Sequence, residues 1–180
     1  MPIHAHEFMS LDGVIESPSW TMPYGFPEAQ AAAIARLTDA SRAILLGRKT
    51  YEMFAPAWST RTVDDDPGAP FFNDTKKYVV GAQQPSVTWQ NTERLGGYDA
   101  DRIRAVEQEV DGDVFVSGSG QLVRGLLRDG LLGGLHLFVF PVVLGTGDRL
   151  FHSGEEFSLA LTDSETYENG VLHLTYGPAT

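Results

Sequence analysis

Two short stretches of this chain carry residue types that hold phosphate groups. In Val114-Phe115-Val116-Ser117-Gly118-Ser119-Gly120-Gln121-Leu122-Val123-Arg124, an apolar β-branched run ends in a Gly-Ser-Gly corner, after which Leu122, Leu126 and Leu127 recur at helical spacing. A strand turning this sharply into a helix presents backbone N–H groups and the positive end of the helix dipole, and glycines without Cβ permit close approach of an anion. The second stretch, Gly47-Arg48-Lys49-Thr50, follows the apolar run Ala43-Ile44-Leu45-Leu46 and leads into Tyr51-Glu52-Met53-Phe54. It is another strand-to-helix corner, with two cations and a hydroxyl. Neither corner completes a standard signature: the last glycine of G-x-G-x-x-G is Val123, and a P-loop would need glycine where Arg42 stands. Tight turns with ordinary helix-start charges would produce the same residues.

Other chemistry is sparser. Asp12, in Ser10-Leu11-Asp12-Gly13, is the first candidate for a polar or proton-relaying catalytic group and Glu28 the second. Asp-Gly is also a turn signal, and an acid at a helix start is also a dipole partner. His4 and His6 alternate onto one strand face, but no further ligands follow at fixed spacing, while His136, His152 and His173 stand isolated in the sequence; no metal site is expected. No G-x-S-x-G elbow surrounds Ser117 or Ser119.

The elements that must position these groups follow from periodicity and turn chemistry. Strands are expected at Ile3–Met9, Arg42–Leu46, Lys77–Val80, Ser86–Trp89, Val114–Val116 and Leu135–Phe140, with helices from Glu28 to about Thr38, from Tyr51 and over Asp101–Val110. Glu16 to Pro27 holds Pro18, Pro23 and Pro27 among Trp20, Met22, Tyr24 and Phe26, which predicts a loop whose aromatics close over the core or a ligand. Glu168-Asn169-Gly170 joins the last two strands as a hairpin. The pattern predicts an α/β fold, with a mostly parallel central sheet flanked by helices and an antiparallel C-terminal hairpin, in one domain over 1–180. Both corners then open at the carboxyl edge of that sheet, where one elongated ligand such as a dinucleotide could use both.

Composition sets bounds. The 180 residues include no cysteine, so disulfides and zinc–thiolate sites are excluded. The net charge of −11 argues against a nucleic-acid partner. The N-terminus lacks the pattern of a signal peptide and no stretch reaches membrane-spanning length, so a cytoplasmic protein with no membrane partner is expected.

The ordered set Ser10-Leu11-Asp12-Gly13, Leu46-Gly47-Arg48-Lys49-Thr50-Tyr51-Glu52, Lys77-Tyr78-Val79-Val80, Val116-Ser117-Gly118-Ser119-Gly120-Gln121-Leu122 and Pro141-Val142-Val143-Leu144-Gly145-Thr146-Gly147-Asp148-Arg149-Leu150-Phe151 resembles the dihydrofolate reductase superfamily. The nearest likeness is to the reductase domain of the riboflavin-pathway deaminase-reductase. The resemblance implies a dihydrofolate-reductase-like fold, NADPH as cofactor and hydride transfer to a small heterocyclic, pterin- or pyrimidine-like substrate. It implies that Gly47, Arg48, Lys49 and Thr50 bind around the adenosine half with Arg48 at the 2′-phosphate. Ser117, Gly118, Ser119, Gly120, Gln121 and Leu122 would wrap the pyrophosphate, with Ile15 beside the nicotinamide and Val80 on the cofactor side. Trp20, Phe54 and Trp58 become substrate-wall candidates, core packing being the alternative for the last two, and a homodimer is implied. The chain departs from dihydrofolate reductases proper: Ala31 stands where the pterin carboxylate is expected, Phe138 replaces its threonine partner, Gly81-Ala82-Gln83 replaces Ser-Arg-Thr, and Gly133-Gly134 replaces Asp-Glu. Dihydrofolate is thereby disfavoured. The alternatives are a riboflavin-pathway pyrimidine reductase and a binding protein of this fold without turnover.

Overall fold

The computed structural model describes residues 2–179; Met1 and Thr180, the ends of the expected domain, lie outside them. Eight strands form one sheet: β1 (Ile3–Ser10), β2 (Ser41–Gly47), β3 (Lys76–Val80), β4 (Thr92–Gly96), β5 (Asp113–Val116), β6 (Leu132–Phe140), β7 (Leu159–Thr166) and β8 (Leu172–Pro178). Their order is β4-β3-β2-β5-β1-β6-β8-β7, parallel from β4 to β6 and antiparallel through β8 and β7. The helices are α1 (Glu28–Ala40), α2 (Arg48–Trp58), α3 (Ala69–Asp74), α4 (Ala100–Glu109) and α5 (Gly120–Arg128).

The sheet is buried on both faces, which is why its central strands read as continuous apolar runs rather than alternating ones. One face carries Ala5, Leu45, Val80, Val116 and Leu137 against Ile103 and Val106 of α4 and Leu122, Val123 and Leu126 of α5. The other carries Ile44, Leu46, Val79 and Phe115 against Tyr51 and Ala55 of α2, and Phe138 and Phe140 against Ala33 of α1.

Three local expectations are corrected. Ser86–Trp89 is not a strand. Trp89 is spent on loop packing, its indole N–H donating to Asn73 at 2.8 Å and its ring lying 4.6 Å from the Lys77 ammonium, while the polar Thr92–Gly96 pairs with β3 instead. Pro18–Tyr24 forms a 3-10 helix inside the proline-rich segment, a geometry that short proline-bearing turns can adopt. Arg48, Lys49 and Thr50 form the first turn of α2 rather than a loop before it. The hairpin is as expected, with Gly170 at φ 82° and its N–H donating to the Tyr167 carbonyl at 2.9 Å.

Lys77 is a buried staple of this framework. Its ammonium donates to the carbonyls of Phe72, Asn73 and Thr75 at 2.7, 3.2 and 2.8 Å, and burial brings its pKa down to about 8.

Candidate active site

Because β1, β2, β3 and β5 run parallel, their carboxyl ends share one edge, and the starts of α2 and α5 meet there. The Gly47 N–H donates to the Gly118 carbonyl at 3.2 Å, and a Cβ on Gly47 would overlap the Ser119 hydroxyl. That close approach is what glycine permits at this position. Neither helix start is closed by a capping side chain: Gly47 precedes α2, and the Ser119 hydroxyl makes no capping bond to α5. The first α5 bond runs from the Val123 N–H to the Ser119 carbonyl, so the N–H groups of the first turn have no intrahelical acceptor. The positive ends of two helix dipoles therefore come together at this edge.

Around this edge lie the cations Arg48, Lys49 and Arg94, together with Arg124, whose guanidinium is 3.2 Å from where a Cβ on Gly120 would sit. Arg48 packs across Gly81, where a Cβ would lie 2.7 Å from its own, and its guanidinium pairs with Glu52 at 2.7 Å. Lys49 is exposed on the first turn of α2. Arg94 of β4 donates to the Gly81 carbonyl at 3.3 Å and the Ala82 carbonyl at 2.5 Å, returning a cation to the Gly81-Ala82 turn. Nothing in the sequence around Arg94 marks it, since it reaches the turn only through the pairing of β3 with β4.

The remaining cofactor-side candidates are placed as follows. Thr50 is buried beside Gly118, and a Cβ built there would lie 2.9 Å from its hydroxyl. Ile15 lies over Gly120, whose Cβ would meet its terminal methyl at 2.6 Å. Ser117 and Gln121 flank the corner, half-buried and exposed respectively. The side chains of Leu122 and Val80 belong to the apolar core against α4 and α5, leaving only their backbone groups for a ligand.

This geometry suits an anion: uncapped N–H groups, glycines at the points of closest approach and cations nearby. The match to a family model is equally direct, covering residues 3–95 and 99–173 with the RibD C-terminal domain. The chain belongs to the RibD C-terminal domain family. A search of curated proteins finds no match. Solved structures agree on the fold of this RibD C-terminal domain. A protein of Shewanella sp. PV-4 provisionally described as a riboflavin biosynthesis protein superposes with TM-score 0.81 at 18% identity, over 100% of both chains. Dihydrofolate reductase from Enterococcus faecalis, solved with NADP(H), gives 0.64 at 14%, over 99% of this chain and 97% of that one. The riboflavin biosynthesis reductase of Saccharomyces cerevisiae gives 0.60 at 17%, over 99% and 90%.

On the substrate and catalytic side the candidates separate. Trp20 stands with Tyr24 edge-on to Phe140, at 5.6 and 5.5 Å, its indole N–H donating to the Glu16 carbonyl. Phe54 and Trp58 instead pack on Phe72, at 5.8 and 4.3 Å between ring centres, within the cluster under α2 and α3. Asp12 accepts from the Ser10 hydroxyl at 2.7 Å and the N–H groups of Leu144 and Gly145 at 3.1 and 2.9 Å, and pairs with Arg149 at 3.3 Å. The Ser10 hydroxyl first, then the Leu144 and Gly145 N–H groups, hold its carboxyl far below the ordinary range. So placed, Asp12 is an ionised clamp joining the β1 turn to the 141–151 loop. Glu28 is exposed on the first turn of α1.

Two features were out of reach of sequence reading. Glu7, on the α5 side of β1, is a buried carboxyl under Gly118. His136 and His173 are not isolated: His4 Nδ1 meets His136 Nε2 at 3.1 Å, and His136 Nδ1 meets His173 Nε2 at 3.1 Å.

Proposed function

We propose that this RibD C-terminal domain, one domain over residues 1–180, is an NADPH-dependent reductase that delivers hydride to a small heterocyclic, pterin- or pyrimidine-like substrate. The observation that carries this reading is the junction of two uncapped helix starts, α2 and α5, tied by the Gly47–Gly118 bond at the carboxyl edge of the sheet. In a chain of net charge −11, an anion finds its favourable field at such a junction and at Arg48, Lys49 and Arg94.

When bound, NADPH supplies the hydride. The protein's part is to orient and to exclude water. In this reading the N–H groups opening α5 hold the pyrophosphate, Arg48 takes the 2′-phosphate, and Ile15 shields the nicotinamide end. Asp12 holds the turn that carries Ile15, whose N–H donates to the Asp148 carbonyl at 2.9 Å. Trp20 forms a wall on the side of α1. Phe54 and Trp58, packed on Phe72 in a separate cluster, lie outside that wall. Membership of the RibD C-terminal family favours the riboflavin-pathway pyrimidine substrate among heterocycles.

The test is NADPH oxidation across dihydropterins, quinonoid compounds and ribityl-pyrimidine intermediates. Turnover with one class assigns the substrate. NADPH binding without oxidation across all of them would instead identify a binding protein of this fold.

A homodimer is part of the proposal. Leu161, Leu172, Leu174 and Tyr176 share one face of the β7–β8 hairpin, where Leu161 is 55% and Leu172 39% exposed. A second copy meeting this face would bury apolar surface free of the like charges that cover the rest of the chain.

A further inference from the structure

Among the described residues Glu7 is the only carboxylate in the buried class, at 8% exposure, and its Oε1 has no hydrogen-bond partner. It rises from β1 on the face covered by α4 and α5, level with Leu137 of β6, and the carboxyl lies against Gly118. A Cβ on Gly118 would lie 3.6 Å from Oε1 and 2.9 Å from the Thr50 hydroxyl. Gly118 is thus enclosed by both neighbouring strands: the Glu7 carboxyl of β1 lies against it, and β2 supplies its carbonyl with the Gly47 N–H. Gly118, at φ 71°, is the last residue before the turn that aims the N–H groups of Ser119 and Gly120. Whatever fixes Gly118 fixes the direction of those donors.

We propose that Glu7 is a positioning residue of this anion-binding corner: its buried, unpartnered carboxyl lies against Gly118, so that affinity for a diphosphate at the start of α5 depends on whether that carboxyl carries a proton. The inference rests on the reading of this corner as the pyrophosphate site. A carboxylic acid beneath the corner is neutral and leaves the two helix dipoles unopposed. A carboxylate places a negative charge, in a poorly screened interior, directly under the anion's seat.

Burial pushes the Glu7 carboxyl up to about 8, and the Gly118 N–H only partly offsets this. Of the charged groups on the surrounding elements one cation reaches the corner, the Arg124 guanidinium lying 3.2 Å from where a Cβ on Gly120 would sit, and the others are paired or exposed. Arg124 of α5 bonds the Leu150 carbonyl at 3.0 Å and pairs with Glu155, and Arg48 of α2 pairs with Glu52, while Lys49 is exposed. In the loop after β1, Asp12 is paired with Arg149 and Glu16 accepts the Asp148 N–H. His6 lies on the opposite face of β1 among Phe8, Phe115 and Phe138, and burial keeps it neutral. Leu137 and Val116 beside Glu7 carry no charge.

The test measures calorimetric binding of NADP+ and, separately, of inorganic pyrophosphate from about pH 7 to about pH 9.5. The wild type and Glu7→Gln are compared, since the amide keeps shape and acceptor but cannot ionise. Wild-type affinity should fall by about tenfold or more over that range, and the Gln variant should lose this pH dependence. Superimposable pH profiles would overturn the inference. NMR of carboxyl-labelled glutamate in the wild type needs no variant: the Glu7 signal should titrate near pH 8, and its midpoint should rise when pyrophosphate saturates the site. An ordinary carboxylate midpoint, or one indifferent to pyrophosphate, would also overturn it. If pyrophosphate follows the Glu7-dependent profile and NADP+ does not bind, the inference stands and the NADPH reading falls. If neither binds, both fall.

Discussion

His6 places both ring nitrogens in the core without a hydrogen-bond partner, edge-on to Phe8 and Phe138 and stacked on Phe115. Such a ring is shaped for an aromatic cluster and penalised for its polar atoms. His6→Phe should therefore raise unfolding stability by about 1–3 kcal/mol, the cost of an unsatisfied buried group, measured as a shift in the urea midpoint. A loss of stability would show that the ring nitrogens contribute something that the packing does not. Arg48 poses a different question, because its guanidinium already holds Glu52 while facing the Gly81 turn. If it takes the 2′-phosphate, Arg48→Ala should weaken NADPH by about 1.5–3 kcal/mol, the range for hydrogen bonds to charged groups, and leave NADH nearly unchanged. Equal losses for the two cofactors, measured by fluorescence titration, would remove Arg48 from the phosphate site.

At the scale of elements, a line of ionisable groups crosses five adjacent strands on the α1 side of the sheet. It runs from Asp113 of β5, 3.7 Å from His4, through His136 of β6 to His173 of β8. It ends at Glu165 of β7 and at Tyr167, with Arg36 of α1 closing on Glu165 at 3.1 Å. Burial lowers His4, His6, His136 and His173, and burial together with the neighbouring histidine rings takes His6 and His136 down to about 3. The unfolded chain takes up histidine protons below about pH 6.5, whereas the folded sheet refuses them until far lower pH. Stability should therefore be fully present above about pH 6.5 and fall as the pH drops toward 3. The expected loss between pH 7 and pH 5 is about 2 kcal/mol for each of His6 and His136. Urea unfolding across this range checks the prediction, and His6→Phe should remove part of the slope. A flat profile down to pH 5 would mean that the interior admits these protons.

Across the whole molecule, the helices cover the two faces unequally. The α4 and α5 layer covers the parallel strands, while the hairpin side toward β7 keeps Leu161 and Leu172 exposed. If a second copy covers them, Leu161→Lys should convert the dimer to a monomer in light scattering with the fold retained by circular dichroism. An unchanged mass would place the interface elsewhere or deny it.

Short-range chemistry made much of this architecture legible. The two corners at Gly47 and Gly118, the hairpin at Asn169-Gly170, the element order through α2 and the mostly parallel sheet all follow from periodicity and turn residues within a few positions of one another. Partnership across the chain was not legible. Because both faces of the sheet are buried, alternation in β1 separates His6 from Glu7 but cannot say which faces α1 and which faces the corner. That assignment puts Glu7 beneath Gly118. His4 finds His136 across 132 positions, Arg94 reaches Gly81 only because β4 pairs with β3, and Phe54 and Trp58 turn to Phe72 because α3 forms under α2. The sequence by itself determined that two glycine-bearing strand-to-helix corners exist. The tertiary structure decided that they meet, and that a buried carboxyl lies below one of them, because only strand order and register bring β1, β2 and β5 side by side.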